Sequence, residues 1–236
     1  MSATLPASRT CVPIELSAMA SVPFDPSTYF DPNLVPGVEP AWEIAHLFPP
    51  QGQWSEAEYL LLTESTNWLV ELVDGRIEVL AMPTIGHQLV LRFLMDALRA
   101  FVEPRNLGVV LFAPTRVWVR DDNFREPDIL FQFSEHHAQR NVDGEYYRGA
   151  DLVMEVVSPD AKSVKRDHEE KRGDYAAAGI AEYWIVDPQQ QVIEVLALDG
   201  KSYALHGVFR EGAQATSKLL DRLAIDVSAT FAAAKA

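Results

Sequence analysis

Cysteine is nearly absent from this 236-residue chain. One residue, Cys11, cannot form an intrachain disulfide and cannot build a Cys-based zinc site within one chain. Long hydrophobic runs are also missing, so no segment has the length of a membrane-spanning helix. Positive charge is scarce. There are 20 Lys and Arg against 34 Asp and Glu, a formal net charge of -14. Such a chain does not coat nucleic acid through its overall field, and phosphate contacts must come from a local patch. Several motifs are lacking as well: the phosphate-binding Gly-rich loop, the dinucleotide fingerprint, His-Glu-x-x-His and the Gly-x-Ser-x-Gly elbow. Their absence argues against an ATPase, a dehydrogenase, a zincin and a typical α/β-hydrolase. Met1 to Pro13 holds one arginine and no continuous apolar block, which argues against a secretory signal and makes the cytoplasm the expected location.

What is present is the composition of a folded protein, 48% hydrophobic and 23% charged. Nine of the 15 prolines fall in the first 50 residues. Residues 1–53 therefore read as an irregular extension, whose Phe24, Tyr29, Phe30, Trp42 and Phe48 are candidates to tack it onto the domain or a partner subunit. A single domain is expected over 54–231, followed by a tail at 232–236. Ser55 with Glu58 reads as a capping box for a short helix ending near Leu62. Two strands flank the Asp74-Gly75 turn. Thr84 can cap a helix with a broad buried face from Leu89 to Val102. Val109 to Val119 is strand-like with a break at Pro114. Further strands are expected at Ile129–Phe133, Leu152–Val157 and Glu182–Asp187, with a helix over 163–178 ending at Gly179. A second hairpin turns at Asp199-Gly200. This order predicts an α/β (α+β) domain, a mixed sheet flanked by helices.

Two carboxylates stand out in that pattern. Asp128 opens one apolar run after Glu126-Pro127, and Glu155 sits inside another. A carboxylate in such a run is costly to bury unless something pairs with it. If the two strands are neighbours, both acids can face one end of the sheet and hold Mg2+ or Mn2+. An ordinary wet-face Glu, or one paired with a core arginine, explains Glu155 equally simply. Lys171 is the candidate cation, and Asp167 and Tyr175 share its helix face at a spacing of four. A plain helix ion pair accounts for Asp167 nearly as well, and Tyr175 suits a core aromatic with a wet hydroxyl. Lys165 and Arg166 belong to the densest basic stretch and are candidate phosphate contacts, although the interspersed acids also suit a solvated helix. Glu71 is a candidate third acid and metal ligand, and His87 a candidate base or phosphate contact. The adjacent His136 and His137 match no zinc spacing and read as loop residues.

Glu126-Pro127-Asp128, Asp151 to Pro159, Lys171 and Ala178 to Pro188 together resemble the restriction endonuclease domain abundant in cyanobacteria, within the PD-(D/E)XK nuclease superfamily. The upstream Glu71 to Gly75 and His87 fit its usual opening, and the resemblance covers about Trp54 to Phe231. It implies a restriction-endonuclease-like fold and Mg2+-dependent hydrolysis of DNA. It places Asp128 and Glu155 in the metal-binding acid positions and Glu71 as a further acid. The superfamily's lysine normally follows the second acid by two residues, where this chain has Val157. Related families supply that lysine from a nearby helix, which points to Lys171. Dimers are common in such nucleases. A nuclease fold kept only for binding or assembly, and a paired-carboxylate hydrolase of a small substrate, are the other readings.

Overall fold

In the computed structural model, residues 48–66 and 68–235 are described. The Pro-rich stretch up to residue 47, with Phe24, Tyr29, Phe30 and Trp42, lies outside them. The capping box forms as expected. Ser55 Oγ accepts the Glu58 N–H, the Glu58 carboxylate accepts the Ser55 N–H, and α1 (Glu56–Ser65) comes directly after. In the hairpin of β1 (Val70–Val73) and β2 (Arg76–Val79), Asp74 and Gly75 both have positive φ, 49° and 68°, as a two-residue type I′ turn requires. Thr84 caps α2 (Ile85–Val102), whose Val90, Leu91, Leu94, Leu98 and Val102 form one buried stripe.

β3 (Gly108–Phe112) and β4 (Val117–Arg120) are separated at Pro114, and β5 (Asn123–Arg125) returns after a tight turn. Next come β6 (Ile129–Phe133), α3 (Ser134–Arg140), β7 (Asn141–Val142), β8 (Tyr146–Arg148) and β9 (Leu152–Val156). His136 and His137 therefore lie on a short helix, where His136 Nδ1 is 2.7 Å from Asp151 and His137 Nδ1 is 2.9 Å from the Tyr147 hydroxyl. The helix expected over 163–178 is interrupted. Asp160 caps α4 (Ala161–Lys165), a π-helical segment spans Arg166–Glu170, and α5 (Lys171–Ala177) resumes the regular ladder. Such a wide turn inserts one residue and re-aims the side chains of the next turn. β10 (Glu182–Asp187), β11 (Val192–Asp199) and β12 (Ser202–Phe209) form a meander, and β13 (Gln214–Thr216), β14 (Ala224–Asp226) and α6 (Val227–Ala233) complete the chain.

Among the described residues, the strands make two six-stranded mixed sheets and a two-stranded one of β13 and β14, where one central mixed sheet was expected. The first runs β2-β1-β5-β4-β8-β7 and the second β12-β11-β10-β9-β6-β3. In the second, β9 and β10 are parallel and the remaining pairs antiparallel. Alternation along β9 splits its side chains between two cores. Leu152, Met154 and Val156 pack with α2 and α6, whereas Val153 and Val157 pack with Tyr175 and Ala176 of α5. The helix α5 lies against β4 of the first sheet and β12 of the second. A third core joins Tyr59 of α1 to Leu72 and Phe124 of the first sheet. One buried acid ties the C-terminal hairpin down: Glu182 accepts from Trp184 Nε1, Ser217 Oγ and the N–H groups of Lys218 and Leu219. Among the described residues, no helix is long and apolar enough to cross a membrane.

Candidate active site

Strand register builds the acid pair. β6 runs antiparallel to β9 with Ile129 opposite Met154, and one further step of that register sets Asp128 opposite Glu155. Pro127 contributes no backbone donor just before β6 and keeps Glu126 extended. Asp128 Oδ2 accepts the Val156 N–H at 2.7 Å and lies 3.2 Å from His87 Nε2. Its side chain is 18% exposed, so it is the outer acid. Glu155 is the inner one and is buried beneath α5.

The ammonium of Lys171 reaches Glu155 from the helix. Nζ is 2.8 Å from Glu155 Oε1, 3.4 Å from Glu71 Oε1 and 3.7 Å from Asp167 Oδ1. Tyr175 donates its hydroxyl to the same Glu155 oxygen. Asp167, Lys171 and Tyr175 thus share one helix face, and the Tyr175 hydroxyl, expected to be wet, is buried. Val157 fills core space two residues after Glu155. A lysine there would lie in the same apolar cluster as Val153 and Ala176.

Three predicted residues, Glu71, Tyr175 and Lys165, do not line the cleft. Glu71 is fully engaged: Arg125 Nη1 donates to it at 2.8 Å, the Glu126 N–H at 3.0 Å, and Lys171 lies alongside. It does not line the cavity, and in this structure its carboxylate is the buried counter-ion of Arg125 and Lys171. Lys165 points to solvent, 3.8 Å from Glu170, because it stands on the outer side of the helix turn. Its neighbour Arg166 does line the cleft and lies 3.2 Å from Asp167. Sequence reading passed over Arg125. It is fully buried, and its guanidinium joins Glu71 to Asp174 at 2.8 and 2.6 Å. The only sequence signal is a cation beside Phe124 at the foot of Glu126-Pro127-Asp128.

The resulting cavity, about 220 Å³, is bordered by Asp128, Glu155, His87, Arg166 and Lys171, with Glu126 beside Asp128. Burial, reinforced by the charges of Asp128, Asp167 and Glu71, outweighs Lys171 and pushes the Glu155 carboxyl up to about 8. Burial and then Glu71 push Glu126 up to about 8 as well. Glu71 moves the other way, to about 2, because Lys171 and Arg125 more than offset its burial. Burial would lower both Lys171 and His87, yet both are raised: Lys171 by Glu155, Glu71 and Asp167, and His87 by Asp128 and Glu155.

These shifts fix a sign. Glu155 and Glu126 have folded values above their ordinary 4.5, so they take up protons on folding. Their stabilising contribution is full below 4.5 and is lost as pH rises through about 8. The raised His87 acts in the same direction. In the absence of divalent metal, the melting temperature should therefore fall as pH is raised through neutrality, and Glu126→Gln should flatten the slope. Circular dichroism melts across that range test this, and a slope of the opposite sign would remove it.

The cavity also suits a hard cation. Glu155 Oε2 and Asp128 Oδ1 carry no hydrogen bond among the described residues, and Glu126 Oε2 is buried without a partner. Acids outnumber permanent cations around this space, so a divalent ion would relieve repulsion. No three His, Cys, Asp or Glu side chains among the described residues are grouped as a ready metal cage. Two carboxylates and retained water are the coordination that Mg2+ prefers.

The model of the Uma2 family, "Putative restriction endonuclease", matches residues 56–228. Comparison with curated proteins gives no match. Among solved structures, the crystal structure of a putative nuclease belonging to DUF820 from Anabaena variabilis aligns with a TM-score of 0.62. Sequence identity is 19%, and the alignment covers 76% of this chain and 98% of that one. At that identity the likeness establishes a shared fold, and the role of each residue has to be argued from the cleft.

Proposed function

From the membership of this chain in the Uma2 family of putative restriction endonucleases, we propose a metal-dependent nuclease that hydrolyses DNA phosphodiesters in the cleft of Asp128, Glu155 and Lys171. The observation that carries the reading is the buried Lys171 ammonium, 2.8 Å from Glu155 Oε1, beside a second strand acid. Asp128 and Glu155 would hold Mg2+ or Mn2+, which when bound activates water and neutralises charge on a phosphoryl oxygen.

The chain's own groups have separable tasks. Lys171 stays protonated among its three acids, so it serves as a donor to the attacking water or the scissile phosphate and not as a base. Arg166 lies on the cleft wall and can offer a guanidinium edge to phosphate. His87 is oriented by Asp128 through Nε2, and its Nδ1 is buried without a partner. Glu71, Asp167 and Tyr175 hold Lys171 and Glu155 in place.

A nuclease fold retained only for binding would not need this ammonium buried among acids. A paired-carboxylate hydrolase needs one free acid and one free base, whereas Glu155 is locked by Lys171 and Tyr175. The test is cleavage of supercoiled DNA, and of labelled DNA and RNA strands, with Mg2+, Mn2+ or chelator. Wild type should nick DNA with either metal and not with chelator, and Asp128→Asn should be inactive. Equal cleavage in chelator by both proteins would end the reading.

A further inference from the structure

The mouth of the cleft is built from apolar side chains, unlike the acidic floor. Leu69, Leu80, Ala81, Pro83 and Phe112 line its upper wall. Beside it runs a second groove of about 480 Å³, lined by Pro83, Ile85, Leu89, Met95, Phe112 and Arg92. Phe112 and Pro83 belong to both, so cleft and groove form one continuous surface. Its side chains stand far out of the protein: Met82 is 84% exposed, Ile85 80%, Trp68 66% and Phe112 56%. Met82 sits between two residues of the wall, and Trp68 directly precedes Leu69. Clustered apolar exposure of this kind marks a binding surface.

Electrostatics narrows what binds. A duplex presents two rows of phosphates and keeps its bases stacked inside. Here the cations of the cleft, Arg166 and Lys171, stand together at its acidic floor beside Asp167 and Glu155, where they can serve the scissile phosphate but not two rows of phosphates. Arg92, exposed and in no ion pair among the described residues, is the free cation along the groove. The total charge of -14 repels a rod of phosphates. An apolar, partly aromatic platform with a single cation suits bases that are already unpaired, because every base offers a π-face. Geometry also selects against a permanently seated protein partner. Whatever covers the groove covers Phe112 and Pro83, and so closes the mouth through which substrate enters. Nucleotides flanking the scissile phosphate have to lie on that same wall.

We propose that the substrate of this cleft is nucleic acid with unpaired bases, a single strand or the unpaired part of a branched duplex. Its bases flanking the cut would pack on Phe112, Ile85 and Met82, with Arg92 on the backbone. The proposal rests on the nuclease reading for the position of the scissile phosphate. The experiment is fluorescence anisotropy of full-length protein in chelator, using labelled oligothymidine and a labelled blunt duplex. Oligothymidine should bind at least about tenfold more tightly than duplex, and Phe112→Ser and Ile85→Ser should each weaken it by about tenfold. Both side chains are exposed, and Ile85 starts a helix whose cap, Thr84, is untouched. Equal affinity for the two probes, or wild-type binding by both variants, overturns the proposal and leaves the nuclease reading to the metal-dependent assay. Self-association abolished by both substitutions, read by light scattering, overturns it in favour of a second copy of the chain. The expected preference without metal-dependent cleavage of either probe supports the platform and removes the nuclease reading.

Discussion

Glu155→Gln is expected to abolish DNA cleavage, by about 10³-fold or more, while leaving the fold intact. The scale is that of removing one group which stabilises developing charge in a preorganised, water-poor site. Stability should be retained because Gln keeps the shape and the acceptor oxygen that Tyr175 and Lys171 use. Gln also replaces a carboxyl whose ionised form burial disfavours, pushing it up to about 8. At neutral pH the variant should melt at or above the wild-type temperature. Such opposed effects on stability and activity are the mark of a group kept for chemistry. Thermal melts and cleavage rates on one preparation check both halves. Wild-type cleavage by Glu155→Gln would remove Glu155 from the mechanism, and a large fall in melting temperature would reassign it to structure.

Arg125→Ala should instead unfold the protein or nearly so, at a cost of about 3–5 kcal/mol, typical of removing one partner from a buried ionic network. Arg125 Nη1 lies 2.8 Å from Glu71 and Nη2 lies 2.6 Å from Asp174, all in the protein interior. Asp174 keeps only Arg120, at 3.1 Å, when the guanidinium is gone. Glu71 then has Lys171 and one backbone N–H left. Against a total stability of roughly 5–15 kcal/mol, that loss is decisive. Urea titrations measure it. Replacing Glu71 with Gln in the Arg125→Met background should recover part of the loss, because both charges leave together. A loss under about 1 kcal/mol for Arg125→Ala would mean the network is solvated and dispensable.

Local signals in the sequence anticipated local structure well. The Ser55 and Glu58 box, the Asp74-Gly75 turn and the buried stripe of α2 arise from interactions spanning a few residues, and all formed. Asp128 and Glu155 were legible for a chemical reason, as carboxylates inside apolar runs. The resemblance and the helix spacing together pointed to Lys171. The features that stayed hidden were set at long range. Leu72 pairs with Phe124, which pulls the first hairpin into a sheet of its own. The partnership of Glu71 with Arg125 spans 54 positions, so nothing near Glu71 announces that its charge is already used. Asp167 and Lys171 keep their contact across the π-helical segment, but helix periodicity alone gives no warning of it. The C-terminal helix was missed because its apolar residues, Val227 and Phe231, are few and bury only against the core that α2 completes.

The shared position of Glu71 limits what could be moved to another scaffold. Its carboxylate lies between Arg125, which anchors the first sheet, and Lys171, which serves the second. Transplanting Asp128, Glu155 and Lys171 alone would leave the ammonium with nothing to set its reach. A graft would have to bring the hairpin, the arginine strand and the wide helical turn with it, so the smallest portable unit of this cleft is most of the domain.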